Sequence, residues 1–227
     1  MPFRGSVFIG AALLLSRQIA ISDRDRSLLG VLATKVKVLT VSQVRRTWWP
    51  DCGSDDLVRR RLKRLRQVGL LQLGRMVVFP EVTLGAPLAK WNPGASEPDL
   101  RCLLAKTRRR WSRSIEVVTA VSITATGAAM YGGRARRVRP SEGTHDVHVA
   151  QVFLKKLSES SEQAAEWIGE CELASESRGA EGVIPDALVR LAGQMLAVEV
   201  VGESYTLAKL QRFCAYCRHR GWSYELW

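Results

Sequence analysis

Between residues 21 and 80 the apolar positions form three helical stripes and then a strand-like alternation. Leu28, Leu29, Val31 and Leu32 make the first stripe. Ser22 stands ahead of it as an N-cap, and Asp25 lies in the first turn, where the helix dipole favours negative charge. The second start is Thr40, with Gln43 at the capping-box position and Val41, Val44 and Trp48 facing inward. Pro50 ends that helix and Asp51 to Ser54 form the turn. A third helix begins near Ser54 or Asp55, with Leu57, Val58, Leu62, Leu65 and Val68 at helical spacing, and Gly69 stops it. Leu70–Leu73 and Met76–Phe79 then predict two short strands around Gly74 and Arg75.

The polar positions of the third helix change the picture. Arg59, Arg60, Arg61, Lys63, Arg64 and Arg66 cover most of its remaining surface, and Arg45 and Arg46 precede it on the second helix. Guanidinium forks bind phosphates or guanine edges bidentately, so such a face suits a DNA groove. Three helices and a small hairpin over about 60 residues resemble the winged helix-turn-helix superfamily. The resemblance implies an α+β N-terminal domain over 21–82, double-stranded DNA as partner, and Arg75 on a wing near the backbone or minor groove. The competing reading is a solvated basic helix that meets its own acidic half or an acidic partner protein.

Downstream, Gly85, Pro87, Pro93, Gly94 and Pro98 mark 83–100 as linker. A helix is expected near Asp99–Trp111, carrying Lys106, Arg108, Arg109 and Arg110, then a strand over Val117–Ile123 and a short helix opening at Thr126-Gly127. Arg134, Arg136, Arg137 and Arg139 form a second basic patch, either a phosphate track or a solvated arm. The whole of 83–140 reads as a basic extension.

After Gly143 the pattern predicts a helix over His145–Leu157, strands over Trp167–Leu173, Ile184–Leu191 and Met195–Val201, a helix over Tyr205–Arg220 and a strand over Ser223–Leu226. That order is αβββαβ. Asp186 lies at or before the second strand, and Glu199 thirteen residues on, near the end of the third. A hairpin brings both carboxylates to one sheet edge, where two such groups can hold Mg²⁺ against a phosphate and a water. Glu170 and Glu172, alternating on the preceding strand, are candidates for a further acidic group. The candidate metal set is Asp186 and Glu199 with Glu172, although the alternation does not separate Glu172 from Glu170.

This order, with Pro185-Asp186 and Glu199, resembles the PD-(D/E)xK restriction-endonuclease-like superfamily. The resemblance implies an α/β C-terminal domain over 141–227. It also implies Mg²⁺-dependent phosphodiester cleavage with Asp186, Glu199 and Glu170 or Glu172 as acids, or with Glu159 near the first helix supplying the further acidic group. The family motif carries a lysine two residues after the glutamate, and this chain has Val201 there. Lys209 on the next helix is the substitute for that ammonium, and Glu203 is a further neighbour. The 54–80 segment, PDALV at 185–189, VEV at 198–200 and LAKLQRFCAY at 207–216 together resemble bacterial replication-relaxation and related mobile-element proteins. That resemblance implies plasmid or mobile-element replication, mobilisation or its regulation. A second possible partner is a further copy of the chain or another such protein.

Composition sharpens the division. The 227 residues carry a formal net charge of +12. Residues 1–140 hold 26 basic and 9 acidic side chains, and residues 141–227 hold 8 and 13. A polyanion is the expected partner of the basic part. Val7–Leu15 is too short for a membrane span and reads as a docking helix rather than a secretory signal. Five scattered cysteines, Cys52, Cys102, Cys171, Cys214 and Cys217, make a poor disulfide framework and fit a cytoplasmic protein. Cys214 and Cys217 read as buried helix-face thiols rather than a zinc site. Three readings remain: a DNA-binding protein with a metal-dependent nuclease domain, a non-enzymatic transcriptional or replication regulator, and a partner-binding subunit whose basic helix meets an acidic protein. In the second the nuclease fold is degenerate and serves dimerisation or partner binding.

Overall fold

The computed structural model describes residues 19–227 except 112–113, 171, 174–182 and 192. The expected apolar segment over 1–20 falls almost entirely outside these residues. The protein is α+β, with two open sheets, and the chain divides into two compact units. One comprises residues 1–76 and 118–138, the other 77–117 and 139–227. The segment expected as a single linker over 83–140 is thus shared between them. Among the described residues no helix is long and apolar enough to cross a membrane.

In the first unit, α1 (Asp23–Thr34) starts at a reciprocal capping box between Ser22 and Asp25. It buries Leu28, Leu29, Leu32 and Ala33. Strand β1 (Leu39–Thr40) leads into α2 (Val41–Trp48), capped by the same device between Thr40 and Gln43. Helix α3 (Asp56–Gln67) turns Val58, Leu62 and Leu65 wholly inward. Each such side chain contributes about 1.5–3 kcal/mol by leaving water. Gly69 follows with φ 77°, a left-handed conformation that glycine adopts without strain.

The expected hairpin around Gly74 and Arg75 does not form. Leu71–Val78 is one continuous strand, β2, because Gly74 keeps a negative φ and makes no turn. Its neighbour is β4 (Glu116–Ile123), in a sheet of order β1-β4-β2. Strand β1 pairs antiparallel to β4, with Leu39 opposite Val121. Helix α5 (Ala125–Ala129) opens one residue before the expected Thr126-Gly127, because the Thr124 hydroxyl caps it by accepting from the Gly127 N–H at 3.0 Å. A Cβ on Gly127 would lie 2.4 Å from the Leu70 carbonyl oxygen, so only glycine permits this approach.

In the second unit a five-stranded sheet has the order β3-β8-β7-β6-β5. Strand β3 (Ala89–Trp91) lies inside the segment expected as linker and pairs antiparallel with β8 (Ser223–Leu226). Strands β5 (Trp167–Gly169), β6 (Ala187–Leu191) and β7 (Gln194–Glu199) form an antiparallel meander, and β8 runs parallel to β7. Gly193, with φ 83°, makes the tight turn of the β6–β7 hairpin.

Three helices supply much of this unit's core: α4 (Leu100–Arg110), α6 (Gly143–Glu159) and α8 (Leu207–His219). A short helix, α7 (Ser161–Ala165), follows α6. Leu103, Leu104, Phe213, Cys214, Cys217 and Tyr224 join one apolar cluster, which accounts for both cysteines as core side chains. On α6, Phe153 meets the Trp167 ring edge-on at 5.4 Å. The expected strand over Trp167–Leu173 ends at Gly169, and Glu170 and Glu172 lie in helical backbone beyond it. The alternation that placed them on one strand face therefore does not occur.

Candidate functional site

The β6–β7 hairpin determines where the chemistry-bearing side chains meet. Ala187 stands opposite Val198, which brings Asp186, just ahead of β6, alongside Glu199 at the end of β7. The Asp186 N–H donates to Glu199 Oε2 at 3.2 Å, and the Val200 N–H donates to Asp186 Oδ2 at 2.7 Å. Both residues are buried. Two further groups close the cluster. His145, in the first turns of α6, places Nε2 2.8 Å from Asp186 Oδ1. Tyr205, just before α8, donates its hydroxyl to Glu199 Oε1. Lys209 Nζ lies 3.7 Å from the Tyr205 ring centroid, a cation–π contact.

The electrostatics follow from this crowding. Burial, and then the neighbouring Asp186 charge, push the Glu199 carboxyl up to about 8. The Tyr205 hydroxyl, Lys209 and the Asp186 N–H oppose that rise without cancelling it. Burial by itself would hold His145 down, but Asp186, with Asp146 and Glu199, overcomes it and raises the imidazole to about 9. Burial and the two carboxylates push the Tyr205 phenol up as well, and Glu170 adds to that. Near neutral pH the cluster holds a cationic imidazole on Asp186 and a largely neutral Glu199.

Of the sequence candidates, Asp186, Glu199 and Lys209 come together, and Glu170 stands within electrostatic reach of Tyr205. Glu172 is exposed, and Glu159 is exposed and paired with Lys155 at 2.8 Å. The expected metal set of Asp186, Glu199 and Glu172 does not assemble. Among the described residues no group of three or more His, Cys, Asp and Glu is placed to hold a metal ion. Each oxygen of Asp186 and Glu199 already has a protein partner. A divalent cation would have only the remaining lone pairs of these two carboxylates and, among the described residues, no third acid placed beside them. His145 and Tyr205 were not anticipated. Their signals were weak: one of three histidines at a helix start, and a tyrosine six residues after Glu199.

In the first unit, the candidate cations of α3 have different fates. Arg61 turns inward, and its Nε donates to Asp25 Oδ1 at 2.9 Å while its terminal nitrogen reaches the Ala20 carbonyl at 2.6 Å. Burial opposes ionisation of Asp25, but Arg61, the Ser22 hydroxyl and the Ser22 N–H outweigh it and lower its pKa. Arg59 bonds Thr119 Oγ1 at 3.0 Å and approaches Asp55. Arg45 pairs with Asp55 at 3.1 Å and bonds the Cys52 carbonyl. Arg46 reaches the Ser42 hydroxyl at 2.6 Å. Arg60, Lys63, Arg64 and Arg66 are exposed along α3, and Arg75 is exposed on β2.

The remaining candidates belong to the second unit. Arg108 is exposed on α4, and Arg110 is partly buried, which lowers its pKa. The side chain of Arg109 lies outside the described set. The chain matches no family model, no curated protein and no solved structure.

Proposed function

We propose that the protein is a double-stranded-DNA-binding regulator whose first unit is a winged helix and whose second unit is a restriction-endonuclease-like fold held in a non-catalytic state. The observation that carries the DNA reading is the division of α3. Val58, Leu62 and Leu65 are fully buried, while Arg60, Lys63, Arg64 and Arg66 stand in solvent on the same helix. A helix fixed by its apolar stripe can present a row of cations to phosphates without losing its packing. The succession α1-β1-α2-α3-β2-β4 supports the winged-helix assignment. On the resemblance to replication-relaxation proteins, the DNA belongs to a plasmid or other mobile element, and the regulated event is its replication or mobilisation.

The non-catalytic assignment of the second unit rests on its satisfied carboxylates. Asp186 is occupied by His145 and the Val200 N–H, Glu199 by Tyr205 and the Asp186 N–H, and Val201 replaces the lysine of the motif. Fluorescence anisotropy of a labelled duplex tests the first part. Binding that weakens steeply with salt, and that is lost when Lys63, Arg64 and Arg66 are all changed to Glu, is expected. Unchanged binding by that variant would remove α3 as the DNA-facing element.

A second reading, a metal-dependent endonuclease, is favoured by the side-by-side placement of Asp186 and Glu199 with Lys209 nearby. Incubating a duplex with Mg²⁺ or Mn²⁺ separates the two readings. Cleavage by the unaltered protein that disappears in both Asp186→Ala and Glu199→Ala would replace the regulator with a nuclease.

A further inference from the structure

The first unit contains a groove of about 730 Å³ between the start of α1, the end of α2 and one side of α3. Its cations are Arg24, Arg60, Arg61 and Arg64, and Trp49 and Leu57 supply its apolar surface. One acid, Asp23, also lines it, with its side chain 99% exposed. Asp23 pairs with Arg26 at 3.1 Å, and the fully buried Asp25 is held by Arg61. Arg60 and Arg64 are exposed and have no ion-pair partner among the described residues. Arg24 is exposed, and its Cζ lies 5.2 Å from the centroid of the Trp49 ring, a cation–π contact to a ring that is itself only 6% exposed. Leu57 is 44% exposed at the groove and supplies open apolar surface there.

We propose that this groove binds a nucleoside di- or triphosphate. The exposed guanidiniums of Arg24, Arg60 and Arg64 outnumber the one exposed carboxylate of the lining, Asp23, and so favour an anionic ligand; guanidinium forks match phosphoryl oxygens bidentately. The volume lies within the range of small-molecule sites, about 300–1,000 Å³, and is far larger than an inorganic phosphate needs. The rest of the space adjoins the exposed side chains of Leu57 and Arg24, with little of the Trp49 ring showing. A planar base suits this surface, since bases stack on guanidinium planes and the exposed Leu57 adds apolar contact. Arg61 acts here as a positioning residue: its bonds to Asp25 and the Ala20 carbonyl fix the floor on which the other cations stand.

The site is separate from the Asp186 cluster and does not depend on the DNA-binding reading. Isothermal titration of the full chain without DNA tests it, using ATP, ADP, pyrophosphate and adenosine. Saturable binding of ATP and ADP at one site per chain is expected. Arg60→Ala combined with Arg64→Ala should weaken it by about tenfold or more. Arg66→Ala, on the same helix but outside the groove, should change it less than about twofold. Adenosine should bind too weakly to measure, and pyrophosphate about tenfold more weakly than ADP, because it forgoes the stacking surface. Absence of saturable ATP binding would overturn the proposal, as would equal losses in the double variant and Arg66→Ala. Pyrophosphate binding as tightly as ADP would overturn the nucleoside part and leave a phosphate site.

Discussion

His145 Nε2 stands 2.8 Å from Asp186 Oδ1, tying the start of α6 to the start of the β6–β7 hairpin by a charge-assisted bond. The imidazole is raised to about 9 from an ordinary 6.5. A raised folded value means that the bond's contribution is fully present below the ordinary histidine value and fades as pH climbs through about 9. His145→Ala should therefore lower the unfolding temperature at pH 6, by an amount on the order of 2 kcal/mol in stability. The difference between variant and parent should shrink by pH 10. Calorimetry across pH 5.5–10 checks this, and a pH-independent difference would show that the histidine acts by packing alone.

Glu199 titrates in the same direction for a different reason, because here the neutral form is the one burial favours. The associated stability is present below the ordinary carboxylate range and is lost as pH rises through about 8. Glu199→Gln keeps the shape and removes the titration. Urea midpoints should converge or cross in the variant's favour between pH 5 and 9, with the unaltered protein falling more steeply. Parallel pH profiles would refute the assignment of that slope to Glu199.

Arg61 and Arg60 are adjacent on α3 but should behave oppositely. Asp25 is fully buried and depends on Arg61 for its charge partner, so Arg61→Ala leaves an uncompensated carboxylate and should cost about 3 kcal/mol near neutral pH. The pair's contribution is present above the ordinary aspartate range and lost as pH falls, since Asp25 is lowered in the folded state. Arg60→Ala should stay within about 0.5 kcal/mol of the parent. Denaturant unfolding at pH 7 distinguishes the two.

Much of this architecture is legible in local sequence, because local rules govern it. Ser22 with Asp25 and Thr40 with Gln43 announce helix starts that the structure closes as capping boxes. The stripe of Val58, Leu62 and Leu65 is buried as its spacing predicts, and the β6–β7 hairpin brings Asp186 to Glu199 as thirteen residues of separation allow. What is not legible depends on partners distant along the chain. Nothing in Leu71–Val78 says that its neighbour is β4, some forty residues away, and nothing around Ala89–Trp91 says that it joins the edge of a sheet built mainly from the last sixty residues. His145 is missed for the same reason: on α6 it is one polar position in a helix, and only the tertiary fold sets it against Asp186. The expected hairpin at Gly74 fails because glycine is a permission for a turn and not an instruction to make one.

Gly127 is a case where glycine is required by contact rather than by φ. A methyl group there would meet the Leu70 carbonyl oxygen at 2.4 Å and Ile123 Cγ1 at 2.9 Å. Neither the backbone after Gly69 nor a buried isoleucine can easily retreat. Although alanine has the higher helix propensity, Gly127→Ala should destabilise the first unit by about 2 kcal/mol. Gly74→Ala, with open space around its Cα, should be nearly neutral. Thermal unfolding of the two variants side by side makes the comparison.

Lys63 and Arg66 carry the most direct test of how α3 meets a polyanion. Both are exposed and neither lines the groove beside Arg60 and Arg64, so their loss leaves that site intact. If each neutralises one phosphate, each releases counterions on binding, and the slope of log affinity against log salt should fall by about 0.9 per substitution. Lys63→Ala and Arg66→Ala should then weaken binding to all duplex sequences alike, while a residue reading a base edge would relax preference at one position. Anisotropy titrations of two unrelated duplexes between low and moderate salt give both quantities. A slope that stays constant in both variants would mean that the two cations point away from the DNA, and that α3 engages it, if at all, through another part of its surface.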